Sequence, residues 1–158
     1  AWEVLAGHEA TKARKILIVG GGLTGCETAD FLAFPTDNMA AAPTEVTLLE
    51  LRDQIAMDSM AEPRHLLLER LREKRVDVIV RAKVKEILDD GVVFERDGKE
   101  ETLHGFEYVV LAMGVRSVDT LSKEIEGKVP EVYVVGDATY PRRALEATAG
   151  GAAIGRQI

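Results

Sequence analysis

The chain has 158 residues, 46% hydrophobic and 30% charged, with a net charge of −7. That is room for one α/β domain with a core, or for one domain plus a fragment of another. The acidic balance, with no cluster of Lys and Arg free of acids, argues against a nucleic-acid face, and no apolar run approaches the roughly 20 residues of a membrane helix. No signal-peptide pattern opens the chain, so a cytoplasmic location is expected. A single cysteine, Cys26, excludes an internal disulfide and any multi-cysteine metal site. His8, His65 and His104 stand among charged neighbours and form no metal or triad pattern, so surface positions are expected.

In chain order, residues 1–14 read as a short helix or lead-in anchored by Trp2, Val4 and Leu5. A first strand follows at Lys15–Val19, and its apolar run meets Gly20, Gly22 and Gly25 at G-x-G-x-x-G spacing. Gly20 permits a tight turn out of the strand, Gly22 has no Cβ to hold a pyrophosphate away, and Gly25 lets the next helix pack on the strand. That helix is expected over residues 23–34, ended by Pro35, with Ala29, Leu32 and Ala33 facing inward. Its start presents unpaired N–H groups and a positive dipole end. Cys26 falls on its first turn and reads as a small packing residue rather than a redox thiol. Residues 35–44 read as a loop.

The second strand is residues 45–50, ending on Glu50, 25 residues after Gly25. A carboxylate at that strand tip can accept hydrogen bonds from ribose hydroxyls. Strand, glycines, helix and acid together mark a dinucleotide site at Gly20, Gly21, Gly22, Leu23, Thr24, Gly25 and Glu50.

After Pro63, Leu67, Leu68 and Leu71 recur at helical spacing with charges on the other face. A third strand is expected at residues 76–80. Short runs divided by Asp90-Gly91 and Asp97-Gly98 then read as a three-stranded antiparallel meander, because Asp-Gly tolerates the positive φ of tight hairpins. Residues 106–112 return as the fourth parallel strand, ending in Met113-Gly114 at the ligand edge. The order predicts an α/β fold: a Rossmann-like doubly wound parallel sheet with an antiparallel meander insertion. Strand one should lie beside strand four, with the ligand crevice between them. The tail adds a strand at 132–135, ending in Gly136-Asp137, and a helix from about 143 to 156. By physics alone Asp137 is a turn or helix-entry residue.

The segments GGGLTGCE, VTLLEL, PRHLLLERLREKRVDV, VVLAMGVR and VPEVYVVGDATYPRRALEA together resemble one family. They are similar to the C-terminal portion of NADH:flavin oxidoreductases of the Old Yellow Enzyme, enoate reductase and 2,4-dienoyl-CoA reductase type. These belong to the glutathione-reductase-like class with two dinucleotide-binding domains. The resemblance implies that residues 1–115 are an NAD(P)H-binding domain. It further implies that residues 116–158 are the closing strand and helix of a FAD-binding domain whose opening half is absent. It matches Asp137, with Gly136, to the acid that holds the flavin ribityl chain, and Glu27 to a carboxylate near the nicotinamide–flavin contact. Without it, Glu27 reads as an acid favoured by the helix dipole. The chain begins Ala1-Trp2 with a single glycine fingerprint, so it is expected to be a piece of a longer enzyme. The parent's N-terminal barrel would carry FMN, an iron–sulfur cluster and the substrate site.

The expected role is electron entry. NADH would lie across the glycines, its ribose on Glu50 and its nicotinamide end near Met113, Gly114 and Glu27, and pass hydride to FAD for reduction of an activated C=C bond. No side chain need act as acid or base, so no catalytic residue is named. NADH is preferred over NADPH because Glu50 would repel a 2′-phosphate, by about 1 kcal/mol at 4 Å in water and about 4 at an effective dielectric of 20. Arg52 is the counter-argument: in extended chain it shares the face of Glu50 and could grip a phosphate, or it could pair with Asp53 or Glu50. The alternative role is an ADP-type structural nucleotide module without redox turnover, as in the trimethylamine dehydrogenase branch. Little FAD binding is expected of the fragment alone. The orphan strand 132–135 should add to the sheet edge or pair with another copy of the chain.

Overall fold

The computed structural model describes residues 1–8, 12–33 and 44–158. The chain divides into two compact units, Ala1–Met113 and Gly114–Ile158.

The first unit opens with a one-turn helix, α1 (Trp2–Leu5), followed by β1 (Lys15–Val19), α2 (Leu23–Leu32), β2 (Glu45–Leu49), α3 (Ala61–Glu73) and β3 (Asp77–Ile79). Then come β4 (Lys83–Ile87), β5 (Gly91–Arg96), β6 (Lys99–His104) and β7 (Tyr108–Leu111). Four parallel strands form a sheet in the order β3-β2-β1-β7, and β4-β5-β6 form a separate antiparallel sheet. β1 is central: Ile16 pairs with Val46 on one side and Tyr108 on the other. The expected neighbours, first and fourth parallel strands, are adjacent.

The apolar run of β1 has side chains on both faces of a buried sheet, as parallel strands require. Successive residues alternate between faces. Ile16 and Ile18 join a core with Cys26, Ala29 and Ala33 of the α2 segment and Leu67 and Leu71 of α3. Leu17 and Val19 join another with Val92, Phe94, Phe106 and Ala82. The meander therefore covers the sheet face that the helices leave bare. The inward set expected for the first helix is as observed, with Leu32 packed against the same core. Asp30 on α2 clamps α3: it receives Lys74 Nζ at 2.8 Å and Arg70 Nε at 3.0 Å.

Several expectations need correction. Val4 is buried but Trp2 is 68% exposed, so Trp2 is no anchor. α2 closes at Leu32, with the Ala33 N–H on the Ala29 carbonyl, and the expected end at Phe34 and the loop through residue 43 lie outside the described residues. α3 begins at Ala61, which puts Pro63 inside its first turn, where no intrahelical N–H is lost. The third and fourth parallel strands are shorter than expected at both ends. The Asp97-Gly98 hairpin has positive φ at both residues, +51° and +75°. Asp90-Gly91 does not. Gly91 is needed there because a Cβ would strike the Leu103 carbonyl of the neighbouring strand. The three histidines are exposed, and each contacts a carboxylate: Glu3, Glu69 and Asp90 in turn.

In the second unit a short helix, α4 (Leu121–Ile125), appears where the sequence pattern shows none. Just before it, Asp119 accepts the Ser122 hydroxyl at 2.6 Å and the Ser122 N–H at 3.3 Å. Residues 132–135 form no strand, contrary to expectation. Val135 is extended, yet an apolar run becomes a strand only beside a second backbone that completes its ladder, and this unit supplies none. Gly136–Ala138 form a 3-10 turn, and α5 (Ala144–Ile154) follows, slightly shorter than expected. No residue of this unit is buried. No helix among the described residues is long and apolar enough to cross a membrane.

Candidate functional site

The glycine loop forms where β1 ends between β2 and β7. The Gly20 N–H donates to the Leu49 carbonyl at 2.9 Å, and the Ala112 N–H donates to the Val19 carbonyl at 2.8 Å. Gly20 has φ +106°, and a Cβ there would strike the Ala112 carbonyl and stand 3.3 Å from the Met113 nitrogen. At Gly25 a Cβ would overlap the Gly20 carbonyl oxygen, so glycine is what lets α2 pack against the loop. Gly21 is buried against Glu50 and Ile55. Gly22 is different. It is the residue before α2, and a Cβ there would find only the Asp58 carboxylate, at 3.5 Å and beyond.

α2 starts at Leu23, so the N–H groups of Leu23, Thr24 and Gly25 have no acceptor within the helix. The first of them is taken by Asp58 Oδ1 at 2.8 Å. Leu23 and Thr24 are half-buried beside the loop. Cys26 lies beneath it, its Sγ 3.4 Å from the Gly21 carbonyl oxygen, and burial pushes its thiol up to about 12. Cys26 is a fully buried packing residue, as expected, and burial outweighs the lowering effect of a helix start on its thiol.

Glu50 stands at the β2 tip with both carboxylate oxygens engaged. Oε2 accepts the Gly21 N–H at 2.6 Å and Oε1 accepts the Arg52 N–H at 2.8 Å. Each oxygen has a further lone pair for a hydroxyl donor. Arg52 differs from expectation: the chain bends after β2 instead of staying extended, and Arg52 touches Glu50 through its main-chain N–H. No ion pair joins its guanidinium to Asp53 or Glu50.

Residues 51–60 fold back over the loop. The Ala56 N–H donates to the Gly21 carbonyl at 2.7 Å, and Arg64 Nε donates to the Ile55 carbonyl at 3.1 Å. Ile55 and Ala56 are buried, with Ala56 at φ +53°. Nothing in the sequence pattern marks Ile55, Ala56 or Asp58 as part of the site. Thirty-five residues separate Asp58 from Leu23, and no spacing rule points to the pairing.

Of the expected residues, the first unit brings together Gly20, Gly21, Gly22, Leu23, Thr24, Gly25, Glu50 and the main chain of Arg52 and Met113. Glu27 is exposed on α2. Gly114, Gly136 and Asp137 belong to the second unit. Gly114 has φ +88° and Gly136 φ +67°, and Asp137 Oδ1 accepts the Arg142 N–H at 3.5 Å.

A parallel sheet whose central strand runs through three tightly placed glycines into a helix, with an acid at the next strand tip, defines a Rossmann-like nucleotide-binding fold. The chain belongs to the pyridine nucleotide-disulphide oxidoreductase family, whose model matches residues 3–151. It is 32% identical over 169 residues to the metal reductase of Desulforamulus reducens, which covers 93% of this chain and 25% of that one. It is 32% identical over 161 residues to the NADH oxidase of Thermoanaerobacter brockii, across 100% of this chain and 24% of the relative. Among solved structures, 2-naphthoyl-CoA reductase in complex with 2-naphthoyl-CoA matches at a TM-score of 0.79 and 28% identity, over 99% of this chain and 23% of the other. The resemblance to reductases of the enoate and dienoyl-CoA type agrees with these relatives. The chain spans about a quarter of the length of the curated relatives it matches.

Proposed function

We propose that the chain is the NAD(P)H-binding portion of a larger flavin-linked reductase, taking NADH along residues 20–25 with its adenosine ribose on Glu50. The observation that carries this is the glycine loop itself. Cβ atoms at Gly20, Gly21 and Gly25 would collide with the fold, while Gly22 leaves room at the start of α2, beside the Asp58 carboxylate. A diphosphate suits that arrangement of main-chain donors and helix dipole.

In the parent enzyme, hydride transfer between nicotinamide and flavin supplies the chemistry, and this chain's residues bind and orient. Glu50, held by two main-chain N–H groups, is oriented for the ribose and set against a 2′-phosphate, which favours NADH. Residues 1–115 are the nucleotide domain in this reading, and residues 116–158 close a FAD domain. The lack of any fully buried side chain in the second unit supports that division, because α5 is mostly Ala, Gly and apolar yet buries none of its residues completely. Glu27, Met113 and Gly114 are assigned to the nicotinamide end, and Gly136 and Asp137 to the flavin. Reduction of an activated C=C bond would take place in the parent's other domains.

Calorimetry with NADH and ADP tests the reading. Tighter binding of NADH supports electron entry. ADP binding as tightly as NADH would favour a structural nucleotide module, and binding of neither would remove the site.

A further inference from the structure

Asp58 stands where an anion belongs. Its Oδ1 holds the Leu23 N–H at 2.8 Å, at the positive end of α2. The same carboxylate is all that a Cβ on Gly22 would meet, so it borders the space that the loop leaves open. Asp58 is itself exposed, but the segment carrying it is tied down. Ala56 bonds the Gly21 carbonyl, and Arg64 bonds both the Ile55 carbonyl and Gln54 Oε1. The chain therefore holds this carboxylate over the helix start.

We infer that Asp58 is a resident anion that competes with the cofactor diphosphate for the start of α2, and thereby sets the affinity of the site. The inference rests on the dinucleotide reading above. A diphosphate approaching this helix end must take the Leu23 N–H from Asp58 or lie beside a like charge. Either weakens binding. The effect acts on the diphosphate and is blind to the nicotinamide.

The test is calorimetric titration of the wild-type chain, Asp58→Asn and Asp58→Ser with NADH and with ADP-ribose, at low and high ionic strength. Both replacements remove the charge; Asn keeps an acceptor oxygen at the reach of Oδ1, and Ser, one bond shorter, leaves the Leu23 N–H open to the ligand. Thermal melting of each variant confirms that the fold is intact. Both variants should bind both ligands more tightly, by about fivefold or more at low salt, from the loss of one nearby like charge. The gain should be equal for the two ligands and should shrink at high salt, where the repulsion is screened. Unchanged or weaker binding by folded variants, or a gain confined to NADH, would overturn the inference and leave the site reading standing. Binding of neither ligand to any of the three proteins would overturn both.

Discussion

Replacing Glu50 with Ala is the sharpest perturbation of cofactor choice. Its oxygens accept the Gly21 and Arg52 N–H groups at 2.6 and 2.8 Å, which fixes the carboxylate at the strand tip with lone pairs left for two ribose hydroxyls. Hydrogen bonds to a charged group contribute about 1.5–3 kcal/mol each. Losing two that are not fully additive should cost NADH about 2–4 kcal/mol, roughly 30-fold to 1,000-fold in Kd. NADPH has an offsetting gain, since a 2′-phosphate at about 4 Å escapes a repulsion of about 1 kcal/mol in water and about 4 at a dielectric of 20. Glu50 is half-buried, so the true value lies between. The ratio of the NADPH and NADH dissociation constants should therefore fall about tenfold or more. Glu50→Gln should also fall short, because both main-chain partners are donors and an amide has one acceptor oxygen. Calorimetry at fixed ionic strength reads both constants, with a melting curve to show that each variant is folded. An unchanged ratio in a folded variant would refute the reasoning.

Gly25→Ala places a methyl group on the Gly20 carbonyl, so α2 must move off the loop. It should cost about 1–3 kcal/mol of stability and weaken nucleotide binding, measured by denaturant melts and titration. Asp30→Ala removes the carboxylate shared by Lys74 and Arg70 and should destabilise the chain by about 1–3 kcal/mol without altering NADH affinity. Cys26 should resist thiol reagents near neutral pH until the protein unfolds. Its thiol rises from 9.0 to about 12 on folding, so the stabilisation linked to it is complete below pH 9 and lost between pH 9 and about 12. Reactivity of the native thiol at the rate of an unfolded control would contradict this.

Where the sequence was legible, glycine spacing and two-residue alternation did the reading. Ile16 to Val19 are apolar at every position, which demands a strand covered on both faces, and Gly20 marks its end by steric necessity. The Asp97-Gly98 turn was readable because its φ values suit those residues. Most of what failed depends on partners far apart in sequence. Residues 132–135 have strand composition, but a ladder is a property of two backbones. Asp58 looks like any acid in a loop until folding sets it on the Leu23 N–H. Trp2 reads as an anchor from its size, yet it is Val4 that joins the core while Trp2 stays exposed. The bend after Leu49 moved Arg52 out of the extended geometry because the chain turns back to bring Ile55 and Ala56 over Gly21.

The central claim is that NADH lies on the main chain of residues 20–25. Amide chemical shifts of the isotope-labelled chain, followed through an NADH titration, test it most directly. The account predicts that the largest changes fall on Gly21, Gly22, Leu23, Thr24 and Gly25, with Arg52 moving as the ribose reaches Glu50. Silence at those amides while a different region of the chain responds to saturating NADH would contradict it.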